Sequence, residues 1–152
     1  MTSVAVLIPC YNEASSIASV IEGFRSAVPQ ARIVVIDNAS IDATAEVARA
    51  HGAEVIHEPR KGKGNAVRRA FADIDADAYV MADGDGTYDP AAAPRMIALL
   101  VDQRIDMVIG VRDHGDQHDA YRRGHVLGNR VLSKMFERLF DFQMTDTLSG
   151  YR

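Results

Sequence analysis

The chain has 152 residues, 47% of them hydrophobic and 25% charged, which suffices for one domain with a buried core. A net charge of -4 argues against the basic face that nucleic-acid binding needs, and the lone Cys10 excludes an internal disulfide. No apolar run approaches the about 20 residues that cross a bilayer, and the chain opens on a strand-like run and not on a signal peptide, so a cytoplasmic protein is expected, with any membrane contact peripheral or in sequence beyond these residues.

Val4 to Ile8 is a continuous apolar run stopped by Pro9, which predicts a strand buried on both faces. Ile17, Val20, Ile21, Phe24 and Val28 then recur at helical spacing, with Asn12 as the expected N-cap and Pro29 as the stop. Ile33 to Ile36 reads as a second strand, Ser40 as the cap of a helix running to Gly52, and Val55-Ile56 as a short third strand. A Gly-rich turn at Lys61 to Gly64 precedes a helix marked by Val67, Ala70, Phe71 and Ile74, and Tyr79-Val80-Met81 forms a fourth strand. Met96, Ile97, Leu100 and Val101 give the next helix and Met107-Val108-Ile109 a fifth strand; a polar loop from Asp113 to Gly124 leads to a helix carrying Leu127, Val131, Met135 and Leu139. Strands alternating with helices over short connections predict a doubly wound α/β domain, its mostly parallel sheet covered by helices on both faces.

Ligands of such sheets bind outside the carboxyl ends of the strands. Four predicted strands deliver polar residues there: Pro9 to Glu13, Asp37 to Ser40, Asp83-Gly84-Asp85 and Gly110 to Arg112. Asp83 and Asp85 are separated by one small residue, so both carboxylates can reach one Mg²⁺ or Mn²⁺ that completes its shell with phosphates and water. An isolated Asp-Gly-Asp is also a common surface turn, and it is the convergence of four strand ends that favours the metal. Asp37 is placed to accept hydrogen bonds from a base or ribose, or to cap a turn. Lys61-Gly62-Lys63-Gly64 lacks the spacing of a Walker loop, and no G-x-G-x-x-G follows the first strand, which disfavours a nicotinamide or flavin dehydrogenase. Arg112 suits phosphate or a surface ion pair, Arg122 and Arg123 an anionic acceptor, and Cys10, with no partner base, a space-filling role.

Six segments in order resemble the inverting family 2 glycosyltransferases of GT-A fold, and especially their polyprenyl-phosphate mannosyl- and glucosyltransferase branch. These are Ile8 to Glu13, Asp37 to Thr44, Lys61 to Ala66, Asp83 to Pro90, Gly128-Asn129-Arg130 and Asp146 to Arg152. The resemblance implies a Rossmann-related GT-A domain spanning 1–152, and a chain cut short after Arg152. It places Pro9, Tyr11, Glu13, Asp37 and Lys63 around the nucleotide, Asp83, Gly84 and Asp85 at metal and diphosphate, and Arg112 on the phosphates. Asp146 falls at the position of the catalytic base or acceptor-positioning carboxylate, and Arg152 near an anionic group. Asn38 stands where many relatives carry a second Asp, and Ala43 where Gly is frequent. The implied reaction moves a sugar from a UDP- or GDP-sugar donor to an acceptor, a polyprenyl phosphate or a glycan, without nucleic acid. The alternatives are a non-catalytic nucleotide-sugar-binding module and a sugar nucleotidyltransferase, the latter lacking here its Gly-rich, Arg-containing first loop.

Overall fold

The computed structural model describes residues 2–110 and 149–152. In chain order the elements are β1 (Val4–Cys10), α1 (Ile17–Ala27), β2 (Arg32–Asp37), α2 (Thr44–Ala50), β3 (Glu54–His57), α3 (Lys63–Asp73), β4 (Ala78–Met81) and α4 (Ala93–Gln103), with a 3-10 turn at Pro90–Ala92. The strands form one sheet in the order β3-β2-β1-β4, and every neighbouring pair is parallel. The chain winds outward from β1 through β2 to β3 and then returns to the other side of β1, so the order reverses between β1 and β4. The loops after these two strands therefore splay apart and leave a crevice, the place where doubly wound sheets bind ligands.

Successive side chains of a strand face opposite sides, so the unbroken apolar runs feed two cores. Val6, Ile8, Val35 and Val80 pack with Ile17, Ile21 and Phe24 of α1, Ala48 of α2 and Met96 of α4. Ala5, Leu7, Val34 and Ile36 pack with Ala66 and Ala70 of α3 on the reverse face. Ile17, Ile21 and Phe24 are fully enclosed, each stabilising the fold by about 1.5–3 kcal/mol. Helices thus cover both faces, as the alternating pattern requires. Among the described residues no helix is long and apolar enough to cross a membrane.

Four local expectations are corrected. Pro9 does not stop β1, which runs on to Cys10. The Leu7 carbonyl accepts from Ala82 on the β4 side and the Cys10 carbonyl from Asn38 on the β2 side. By this alternation the nitrogen of Pro9 faces β4, whose pairing has ended at Leu7, so the missing N–H removes no ladder bond. The helix caps also fall later than expected, at Ser16 for α1 and Ala43 for α2. Asn12 and Ser40 instead tie the β1 and β2 loops together: Asn12 N–H donates to Ser40 Oγ (3.0 Å), and Ile41 N–H to Asn12 Oδ1 (2.9 Å). Finally, Met107 to Ile109 form no strand. The outer side of β4 is held by Arg152, which exchanges both backbone hydrogen bonds with Met81 (2.6 and 3.0 Å), while Gly110 N–H donates to Tyr151 O (2.9 Å).

Candidate donor site

The crevice between the ends of β1 and β4 is lined by Pro9, Cys10, Tyr11, Glu13, Asn38, Lys63, Ala66, Asp83 and Asp85. Six residues singled out from sequence as nucleotide contacts or metal ligands thus meet from the ends of β1 and β4 and the start of α3: Pro9, Tyr11, Glu13, Lys63, Asp83 and Asp85. Gly84 is what lets the β1 and β4 loops close on each other. A Cβ there would stand 2.2 Å from Glu13 Oε2 and 2.5 Å from Cys10 Sγ, and the Gly84 carbonyl accepts a hydrogen bond from Ser16 Oγ at 2.7 Å.

The electrostatics of the crevice are dominated by carboxylates. Glu13 Oε2 is buried without a hydrogen-bond partner, and burial raises the pKa of Glu13; Asp85 and Asp83 add to the rise, while the Cys10 thiol and Lys63 act the other way. Burial, with Glu13 next, pushes the Cys10 thiol up, so it stays protonated. That state fits the space-filling role expected for it and not a nucleophile. Asp83 pairs with the Lys63 ammonium through Oδ1, and Asp85 Oδ1 accepts from Thr87 N–H (2.9 Å), which folds the turn back on itself. Lys61 reaches over the Tyr11 ring, its Nζ 5.1 Å from the centroid and 3.3 Å from the hydroxyl. Tyr11 is 46% exposed, leaving ring surface at the mouth for a flat ligand.

Asp37, expected at the nucleotide, is not among the residues that line the crevice. It is buried, its Oδ1 accepts from Ser40 N–H (3.2 Å) and its Oδ2 lies 3.0 Å from His57 Nδ1. Two residues for which no site role is expected from sequence, Asn38 and Glu58, prove to be organisers. Asn38 donates from Nδ2 to the carbonyls of Glu58 (3.1 Å) and Arg60 (2.7 Å) and accepts at Oδ1 from Gly62 N–H (2.7 Å). It thereby braces the loop that carries Lys61 and Lys63. Glu58, buried in the same loop, accepts from Arg60 N–H at 2.8 Å and from Arg60 Nε at 3.2 Å, and these bonds hold its carboxyl below the usual range. The sequence signal for this brace was a polar residue directly after a buried strand, facing a Gly-containing turn.

Residues 149–152 complete one wall. Gly150 N–H donates to the Tyr88 hydroxyl (2.7 Å), and the Tyr151 hydroxyl donates to the Asp89 carbonyl (3.1 Å). Burial, reinforced by Asp89, pushes the Tyr151 phenol up to about 12, so the donor proton is retained. The Tyr151 ring sits between Tyr88 (centroids 5.3 Å apart) and Phe24 (6.2 Å, edge-on), anchoring the segment in the core. Arg152 is therefore placed as a β4 neighbour. Arg112, Arg122, Arg123 and Asp146, together with the polar loop and the following helix, lie outside the described residues.

No group of three His, Cys, Asp or Glu among the described residues could hold a metal ion alone. The two carboxylates of Asp83 and Asp85 fit Mg²⁺ or Mn²⁺, hard cations that take oxygen donors, keep waters and complete their shell with substrate phosphates. They do not fit a closed structural zinc site.

Protein RfbJ of Shigella flexneri is 52% identical over 123 residues, covering 81% of this chain and 95% of that protein. Glycosyltransferase AglJ of Haloferax volcanii is 40% identical over 151 residues, 99% of this chain and 49% of AglJ. An undecaprenyl-phosphate mannosyltransferase of Micrococcus luteus is 34% identical over 159 aligned positions, 98% of this chain and 65% of that enzyme. Among solved structures, glucosyl-3-phosphoglycerate synthase of Mycobacterium tuberculosis in complex with Mn²⁺ and UDP-glucose superimposes with a TM-score of 0.76 at 26% identity, covering 99% of this chain and 55% of the synthase. The chain thus spans about half the length of AglJ and of the synthase, and its sheet is the GT-A-like one that the sequence motifs imply. The family model "Glycosyl transferase family 2" matches residues 5–151, and the chain belongs to that family.

Proposed function

We propose that this chain is the donor-binding part of a metal-dependent inverting glycosyltransferase that moves a hexose from a nucleoside diphosphate sugar to a polyprenyl phosphate. The observation that carries the reading is the meeting of Tyr11, Glu13, Lys63, Asp83 and Asp85 in one crevice at the switch point of a parallel sheet. The polyprenyl acceptor is supported by the likeness to the Micrococcus luteus mannosyltransferase, and the metal and donor class by the likeness to the Mn²⁺- and UDP-glucose-bound synthase.

Each side chain then has a task. Tyr11 offers a ring face to the base, and Glu13, which lines the crevice, accepts a hydrogen bond from a ribose hydroxyl. Asp83 and Asp85 hold the cation, which when bound neutralises charge on the diphosphate leaving group. Lys63, joined by Arg112, meets the same phosphates and stabilises the charge that grows on them as the anomeric bond breaks. Displacement is in line, so the anomeric configuration inverts. Asp146 orients an acceptor phosphate, which is already anionic near neutral pH, and would have to remove a proton only from a hydroxyl acceptor. Arg122, Arg123 and Arg152 supply positive charge for the acceptor, which meets the protein at the cytoplasmic membrane face.

Incubation of the protein with radiolabelled UDP- and GDP-hexoses, Mn²⁺ and a short-chain polyprenyl phosphate tests the reading. Transfer of label to the lipid, with the configuration inverted by NMR, supports it. Labelled lipid of retained configuration, or transfer without metal, overturns it.

A further inference from the structure

Lys63 stands at the start of α3, where the helix dipole favours anions over cations, and no acidic residue in the first turn compensates it. Its placement is therefore not explained by helix stability. Its ammonium instead reaches across the crevice to Asp83 Oδ1. Gly150 backs the pair closely: a Cβ added there would lie 2.8 Å from Asp83 Oδ2 and 3.1 Å from Lys63 Nζ. One oxygen of Asp83 is thus held by the Lys63 ammonium. A divalent ion that takes this oxygen must displace the ammonium.

We propose that Lys63 is an exchangeable counter-ion: it holds Asp83 while the crevice is without metal, and it releases that carboxylate to an incoming cation and turns to the donor diphosphate. The inference rests on the donor-binding reading given above and adds an order of events to it. The side chains of the pair are 52% and 24% exposed, so water reaches both partners and the bond is weak enough to be exchanged. Asn38 braces the loop backbone at Glu58, Arg60 and Gly62 through one hydrogen bond each, so the loop stays in place and the lysine side chain alone moves. Glu13, Asp83 and Asp85 would otherwise leave the metal-free crevice with uncompensated negative charge, and Lys63 acts directly on Glu13 as well. The metal and the diphosphate then enter together: the cation replaces the lysine on Asp83, and the phosphates give the displaced ammonium a new partner.

The test uses Mn²⁺ alone and Mn²⁺ with UDP or GDP, with free Mn²⁺ read by electron paramagnetic resonance. Lys63→Met should bind Mn²⁺ alone about threefold to fivefold tighter than the wild type, the scale of one lost surface pair. The same variant should bind the nucleotide in Mn²⁺ about tenfold weaker, the scale of one charge-assisted hydrogen bond. Lys61→Met removes the same charge from the same loop without touching Asp83, and should leave Mn²⁺ binding nearly unchanged. The gain should also vanish in Lys63→Met combined with Asp83→Asn. Equal gains in the two lysine variants, or unchanged or weaker Mn²⁺ binding in Lys63→Met, would overturn the exchange. The Mn²⁺ titration needs no nucleotide, so failure of the wild type to bind UDP or GDP would count against the donor-binding reading separately.

Discussion

Gly150 and Asp83 are 67 positions apart in sequence, yet a Cβ added to the glycine would stand 2.8 Å from Asp83 Oδ2. The last residues thus wall the site that β4 opens, and the hydrogen bond from Gly150 to the Tyr88 hydroxyl fixes that wall. Gly150→Ala must move either the wall or the carboxylate. It is expected to weaken nucleotide binding in Mn²⁺ by about tenfold, with a stability loss of about 1 kcal/mol, the low end for overpacking. Calorimetry and urea unfolding on the same samples check both.

Gly84 is under a tighter constraint, since a Cβ would meet Glu13 Oε2 and Cys10 Sγ at 2.2 and 2.5 Å. Gly84→Ala should destabilise the protein by about 1–3 kcal/mol. Chemical denaturation reads this directly; an unchanged midpoint would mean that the β1 and β4 loops do not meet in solution.

These constraints show what the sequence made legible. Four strands and four helices were readable because Val4 to Ile8 and Ile33 to Ile36 are unbroken apolar runs, while Ile17, Val20, Ile21 and Phe24 repeat at helical spacing. The Asp83 and Asp85 carboxylates were legible as a pair because one glycine separates them at a strand end. Asn12 and Ser40 were misread as helix caps because an Asn or Ser before a helix has the same signature whether it bonds its own helix or a neighbouring loop. The fifth strand was misplaced for another reason. Met107 to Ile109 are apolar enough, but the partner that occupies the edge of β4 is Arg152, and strand pairing between distant segments leaves no local mark.

Asn38 supplies a third test. Two of its three bonds are donated by the side-chain amide to carbonyls, a task that a carboxylate cannot perform. Asn38→Asp should therefore destabilise the loop at Glu58 to Gly62 by about 1–3 kcal/mol, for the buried Glu58 carbonyl left without a donor, with the part-buried Arg60 carbonyl turning to water. Hydrogen exchange should show faster exchange at Gly62 and Asn65, while β1 amides keep their protection.

Glu13 gives a pH-dependent prediction. Burial raises its pKa in the folded protein above the ordinary 4.5, so folding favours its protonated form. The associated stability is fully present below about 4.5, the unfolded value, and is lost as the pH rises through the higher folded value. In metal-free protein, Glu13→Gln should accordingly raise the melting temperature at pH 7 by about 2–4 °C, and the difference should shrink as the pH falls toward 4.5. A larger gain at acid pH than at neutral pH would reverse the assignment.

The most direct test of the donor site is calorimetric titration of UDP and of GDP, with and without Mn²⁺, on this chain and on Asp83→Asn. The account predicts that one of the two nucleotides binds, that binding requires Mn²⁺, and that it is lost in the variant while the fold is kept. Equal binding with and without metal, or binding undiminished in Asp83→Asn, would contradict it.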